Sequence, residues 1–178
     1  MTTALVLTFI GDDRPGLVSA ISEKVAACGG TWLESRLARL AGKFAGIFLV
    51  NVPDEKVDSF RAGLLELDAK GLRVAAERGE ADASAAASDR ILKLEIVGHE
   101  RAGIVRDVAQ ALARLGVNIE EFSSGVESAP FSGIEMFRAR ARLRAPHGLT
   151  ADALRQAVER LASEIMVDLA VGEGDADD

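Results

Sequence analysis

Gly11-Asp12-Asp13-Arg14-Pro15-Gly16 joins an apolar run (Leu5, Val6, Leu7, Phe9, Ile10) to an amphipathic one (Leu17, Val18, Ile21, Val25). The first run is short and apolar and stops at a Gly-Asp-Asp turn signal, which is the pattern of a buried strand over 5–10. Pro15 suits the first turn of a helix, where its missing N–H costs nothing and its φ is already helical. Leu17, Ile21, Val25 and Cys28 recur at helical spacing, and Gly29-Gly30 ends the run. The hexapeptide therefore reads as a strand-to-helix turn.

Outward from that turn, residues 31–40 and 44–52 read as two strands, with Ala41-Gly42-Lys43 between them as a hairpin connection. Pro53-Asp54 marks a helix start, Val57, Phe60, Leu64 and Leu67 form an apolar stripe, and Gly71 ends it. Leu72, Val74 and Ala76 alternate with polar or small neighbours as a fourth strand. The order is β-α-β-β-α-β, the ferredoxin-like pattern of the α+β class with an antiparallel sheet.

The turn returns. Eighty-seven residues on, Gly98-His99-Glu100-Arg101-Ala102-Gly103 stands between Leu92, Leu94, Ile96, Val97 and Ile104, Val105, Val108, Leu112. Without a gap, positions 5–52 align to 92–139 and match Gly11/Gly98, Arg14/Arg101, Gly16/Gly103, Gly29/Gly116, Glu34/Glu121, Phe44/Phe131, Gly46/Gly133 and Ile47/Ile134. Matched glycines mark backbone geometry that both halves need. The second unit reads as a strand over 91–97, a helix over 103–115, strands over 117–126 and 131–144, a helix over 150–163 and a strand over 165–171. It is longer by several residues after the position matching Val52, in its third strand and the loop to its helix. Two tandem domains are expected, 1–79 and 90–172, with a linker at 80–89 rich in Ala, Ser and Asp and an acidic, disordered tail at 173–178.

Composition excludes several classes of function. The chain has 178 residues and a net charge of −7, which opposes direct nucleic-acid binding, since phosphates must be met by cations. Aromatics make up only 4% with no tyrosine, too few to stack bases on an exposed sheet. The single cysteine, Cys28, allows neither an intramolecular disulfide nor a multi-thiolate metal site. No basic leader or long apolar span is present, so a soluble, cytoplasmic protein with no membrane association is expected. With two histidines and no nucleophile elbow, phosphate loop or metal-ligand spacing, the chain reads as a non-enzyme without cofactor or metal.

The duplicated turn is where chemistry concentrates. Its glycines fit a sharp turn, and they fit equally a ligand brought close to backbone N–H groups at a helix N-terminus. Arg14 and Arg101 can hold a carboxylate bidentately, while Asp12, Asp13 and Glu100 can receive an ammonium group, a set suited to an amino acid. His99 stands where the first unit has Asp12, and either hydrogen-bonds at the surface or meets a ligand carboxylate. Asn118 opens the second strand of unit two where unit one has Thr31; its amide is either a turn group or a ligand partner. Arg138, Arg140, Arg142 and Arg144 share one strand face at period two. They either pair with carboxylates such as Glu95 and Glu120 or dock an acidic partner or the sheet of a second protomer.

Asp12-Asp13-Arg14-Pro15-Gly16 in a β-α-β-β-α-β unit resembles the Asp-x-Arg-Pro-Gly turn of the ACT domain. The tandem arrangement, Ala27-Cys28-Gly29, Glu34-Ser35-Arg36-Leu37-Ala38 and Val117-Asn118-Ile119-Glu120-Glu121 look like the glycine cleavage system transcriptional repressor group of two-ACT proteins. The resemblance implies a small-molecule sensor, glycine or serine being favoured. Its ligand would lie where two ACT units meet, between the first turn of one and the second strand of the other. It implies as binding residues Asp12, Asp13, Arg14, Pro15 and Gly16 with Thr31 and Trp32, and His99, Glu100, Arg101 and Gly103 with Asn118 and Ile119. The output it implies is control of a transcription factor by protein contact, with homodimerisation left open; a regulatory subunit of an amino-acid metabolic enzyme is the alternative. Thr31 in place of asparagine and Ala102 in place of proline depart from the family pattern, so the two sites need not both bind.

Overall fold

Alternation builds the first strand, β1 (Thr2–Asp12), in which Leu5, Leu7, Phe9 and Gly11 are buried and their neighbours are not. It runs two residues further than its apolar run, because Gly11 and Asp12 still pair with Phe44 and Lys43. The remaining elements of the first unit are α1 (Leu17–Ala27), β2 (Thr31–Leu40), β3 (Lys43–Pro53), a 3-10 turn at Asp54–Lys56, α2 (Val57–Asp68) and β4 (Leu72–Arg78). Its antiparallel sheet has the order β2-β3-β1-β4. Ala41 (φ 49°) and Gly42 (φ 77°) join Leu40 to Lys43 as the left-handed pair of a tight hairpin turn. One sheet face packs Leu5, Leu7, Phe48 and Val50 against Leu17, Ile21 and Val25 of α1 and Phe60, Leu64 and Leu67 of α2.

The second unit repeats this plan with β5 (Arg90–His99), α3 (Ile104–Arg114), β6 (Asn118–Ser128), β7 (Glu135–Ala145), α4 (Ala151–Glu159) and β8 (Met166–Val171), in the order β6-β7-β5-β8. The chain divides into Met1–Ala83 and Ser84–Asp178. The structure, a computed structural model, describes residues 1–79, 90–128, 134–161 and the backbone of 166–171. The expected linker at 80–89, Phe131 and Gly133, the helix end at Ser163, the strand start at Ile165 and the tail at 173–178 lie outside the described residues.

The structure corrects three expectations, the first of them register. Gly11 lies opposite Phe44, and Gly98 lies opposite Phe137 rather than Phe131. Likewise Phe9 faces Gly46 whereas Ile96 faces Ala139, so the ungapped matches Phe44/Phe131, Gly46/Gly133 and Ile47/Ile134 are not structural equivalents. The extra residues of unit two sit in the β6–β7 hairpin, ahead of the third strand and not after it; a hairpin tip lengthens without disturbing either ladder. Pro15 is the second correction. It precedes the helix, and Gly16 is the N-cap at φ 90°, a left-handed conformation matched by Gly103 at φ 86°. Third, α4 ends at Glu159 because the Leu161 N–H donates to the Val158 carbonyl at 3.0 Å and tightens the chain into a turn. Its start is as expected, with the Ala153 N–H donating to the Thr150 hydroxyl at 3.2 Å.

Candidate functional site

The two turns share a backbone and differ in what holds it. The Asp13 N–H donates to the Gly42 carbonyl at 2.9 Å, and the Glu100 N–H to the Glu135 carbonyl at 3.0 Å, so each turn hangs from its own hairpin. In unit one the acidic pair is then committed to that hairpin: Lys43 Nζ donates to Asp12, and Arg39 Nε to Asp13. At the corresponding places unit two has His99 and Met136, its counterparts of Asp12 and Lys43.

The arginines differ as well. Arg14 donates to the Lys70 carbonyl at 2.7 Å, in the turn that closes α2, where a cation suits the helix dipole. Its charge also helps hold the Asp12 carboxyl low, after Lys43. Arg101 instead meets Asp107 in the first turn of α3 at 2.8 Å, and Arg106 shares the same carboxylate. Gly16 is open, with no atom within 4 Å of a Cβ placed there, so its φ and not crowding demands glycine.

Two clefts flank the first turn. One, of about 360 Å³, is lined by Arg14, Pro15, Gly16, Leu17, Ser19, Ala20, Glu23, Leu67, Lys70 and Leu72. It combines cations, the start of α1 and the Glu23 carboxylate, which accepts from the Ser19 hydroxyl at 3.0 Å. The other, of about 250 Å³, lies on the sheet side against Gly11, Asp12, Lys43, Gly71 and Arg73.

Thr31 and Trp32 are not brought to this turn within their own unit. Thr31 pairs with Asn51, eight residues along β3 from Lys43, or about 27 Å at strand rise. Trp32 stacks on Phe48 with centroids 4.2 Å apart and belongs to the core margin. Asn118 and Ile119 lie at the same far end of unit two, opposite Arg144 and Leu143, and Ile119 packs on the core. Lys43, Arg39, Lys70 and Glu23 escaped the sequence reading. The hairpin register would have placed Lys43 beside Asp12, whereas the Arg14–Lys70 contact spans 56 residues and leaves no local signal.

The arginine stripe is internally paired. Arg138 and Arg140 reach Glu95 at 2.9 and 3.3 Å, and Arg142 and Arg144 reach Glu120 at 3.0 and 2.5 Å. Arg142 Nε is close to Glu120 but out of line for a hydrogen bond. Glu120 is the unpaired residue of a bulge between Ile119 and Glu121, matched in unit one between Trp32 and Glu34; a bulge re-aims a side chain, here onto the arginines.

Asp12 and Asp107 titrate low. The hydrogen bond from Arg101, then that from Arg106, holds Asp107 below its ordinary 3.8, and Lys43 does the same for Asp12. The unfolded chain therefore binds these protons more tightly. The stability the pairs contribute is complete above the ordinary value and is lost as pH falls through the lowered ones. The melting temperature is expected to hold from about pH 8 to 5 and drop below about pH 4, less steeply in Asp107→Asn. A wild-type melting temperature unchanged at pH 2.5 contradicts this.

An ACT domain profile matches residues 3–76, and a second matches residues 96–172. The chain is a tandem of two ACT domains. It is homologous to the glycine cleavage system transcriptional repressor of Escherichia coli, 45% identical over 47 residues, 26% of this chain and 25% of that protein. It is 30% identical over 172 residues to phosphoserine phosphatase SerB2 of Mycobacterium tuberculosis, covering 94% of this chain and 40% of the phosphatase. The chain thus spans well under half the length of that relative. Among solved structures, an unknown protein from Galdieria sulphuraria superposes with a TM-score of 0.84 at 28% identity, covering 97% of this chain and 99% of that one. A protein described as a glycine cleavage system transcriptional repressor shares the fold at a TM-score of 0.69 and 17% identity, covering 97% and 99%. ACT domains are regulatory modules, and this tandem is related to the repressor. Among the described residues no helix is long and apolar enough to cross a membrane, and no cluster of His, Cys, Asp and Glu could hold a metal ion.

Proposed function

We propose that this tandem ACT protein senses a small amino acid, glycine or serine, in the cytoplasm, and that the first turn, Asp12 to Gly16, is the working site. One observation carries the reading: Arg14 rests on a backbone carbonyl beside a cleft at the start of α1, while its counterpart Arg101 is neutralised by Asp107. A ligand carboxylate gains most where the cation's hydrogen bond goes to a neutral carbonyl and not to a carboxylate, and where helix N–H groups add to it. Glu23, in the same cleft, suits the ammonium group better than Asp12 and Asp13, which Lys43 and Arg39 already hold. Thr31 and Trp32, or Asn118 and Ile119, contribute only from another ACT unit set against the turn, in keeping with ligands held where two such units meet.

Bound ligand acts on a protein partner by favouring one arrangement of ACT units over another. Kinship with the repressor supports a transcription factor as that partner. Alignment of 94% of the chain with part of a phosphatase supports a second reading, regulation of an amino-acid metabolic enzyme. Co-purification separates them by the class of protein retained.

A thermal-shift and calorimetric screen against the amino acids tests the site. A ligand at ten times its Kd stabilises by about 1.4 kcal/mol, several degrees in a domain this small. Arg14→Ala is expected to abolish the shift and Arg101→Ala to keep it. The sensing proposal fails if no amino acid shifts the wild type at millimolar concentration, and the reverse pattern moves the site to the second turn.

A further inference from the structure

The sheet face turned away from the helices differs sharply between the two units. In unit one its two central strands present Val6, Thr8 and Ile10 from β1 and Ala45, Ile47 and Leu49 from β3. Ile10 and Ile47 are 40% and 48% exposed. At the same register positions unit two presents Lys93, Glu95 and Val97, and Arg138, Arg140 and Arg142. One fold thus carries an ionic face and an apolar one, so the fold itself does not require the apolar side chains. An apolar sheet face left to water calls for a cover.

We infer that the open sheet face of the first unit is a self-association surface that packs against the same face of a second copy of this chain. The residue pattern is its own complement about a two-fold axis across the strands through the Thr8–Ile47 rung. Register places Ala45, Ile10 and Arg73 on the rung two residues to one side of that axis and Leu49, Val6 and Glu77 on the rung two residues to the other. The two-fold exchanges these rungs. Small Ala45 then meets the partner copy's large Leu49, Ile10 meets Val6, and Arg73 meets Glu77, twice over. Thr8 and Ile47 meet themselves at the axis. At the β2 edge Arg36 also meets its own copy, with Glu34 3.1 Å from each guanidinium to offset the like charge.

Packed sheets lie about 10 Å apart with strands about 30° from aligned, which displaces these facing positions by only a few ångströms. Four strands at ~4.8 Å spacing and a ~27 Å length present about 500 Å² in projection, more with side-chain relief. That approaches the ~800 Å² per partner of a standard interface and fits a reversible dimer. An ionic occupant such as the arginine face would leave its charges on aliphatic groups, so this surface selects its own kind.

Sedimentation velocity of the full chain over a range of micromolar concentrations tests this without reference to the amino-acid site. Wild type is expected to show a monomer–dimer equilibrium. Ile47→Arg, which copies the side chain unit two carries at that register and so tests folding lightly, should weaken association roughly 30-fold or more by setting two charges at the axis. Arg73→Glu alone should weaken it, and Arg73→Glu with Glu77→Arg should restore it, because the swap re-forms both cross pairs. A wild-type monomer throughout, which would leave the face to a different protein, overturns the proposal. So does a dimer indifferent to Ile47→Arg, or a double swap that fails to recover.

Discussion

Phe48→Ala is expected to lower the stability of the first unit by about 3–5 kcal/mol. Phe48 is 2% exposed, stacks on Trp32 at 4.2 Å with planes 2° apart, and meets Phe9 edge-on at 6.1 Å. Truncation removes the burial of the ring, both aromatic contacts and the wall against which Trp32 is held. The cavity would open between a sheet and two helices, which close together only partially. Domains of this size are held by about 5–15 kcal/mol in all, so the loss approaches the whole margin. Trp32 is the sole tryptophan, so its fluorescence reports the first unit in urea or guanidinium while circular dichroism follows both. A loss under about 1 kcal/mol would show that the ring is not the keystone that its burial implies.

The same ring shows what was legible in the sequence. Period-two alternation carried enough information to place Leu5, Leu7 and Phe9 on one face, and helical spacing did the same for Leu17, Ile21 and Val25, because burial repeats with the geometry of the element. The repeat of Gly11 to Gly16 at Gly98 to Gly103 gave the two-unit plan. What failed was pairing across the hairpin. Phe44 and Phe131 align without a gap, yet the ladder equates Phe44 with Phe137, since residues added at a hairpin tip shift every later register while leaving each strand plausible by itself. The site was half legible for a similar reason. Residue types at the turn were visible, and Lys43 across the hairpin and Asp107 six residues beyond Arg101 are local enough to leave a signal, but the Arg14–Lys70 contact spans 56 residues, and these partners together decide which arginine is left for a ligand.

Within one hexapeptide two glycines are expected to respond in opposite ways, and the contrast separates folding from binding. Gly11→Val should cost about 2–3 kcal/mol. Gly11 is a strand residue and not part of the turn: a Cβ there stands 2.9 Å from the Gly71 carbonyl oxygen and 3.1 Å from Leu72, and a backbone oxygen in the turn that leads directly into the paired start of β4 has little room to move aside. Relief would require β1 and β4 to part next to the turn, taking both the sheet-side cleft and the Arg14–Lys70 contact with them. Gly16→Asn meets no such wall. Asparagine enters the left-handed region more readily than other side chains, and nothing lies within 4 Å, so a cost of about 1 kcal/mol or less is expected. Its side chain would stand beside the cleft where the ligand carboxylate is proposed to sit, so the ligand-dependent melting shift should be lost from a protein that is otherwise folded. Denaturation followed by Trp32 fluorescence, with calorimetry on the same samples, reads both quantities. If Gly16→Asn binds as tightly as wild type, the ligand does not approach the N-terminus of α1. Near-wild-type stability in Gly11→Val would mean that the close approach of β1 to Gly71 is not what holds the turn in place.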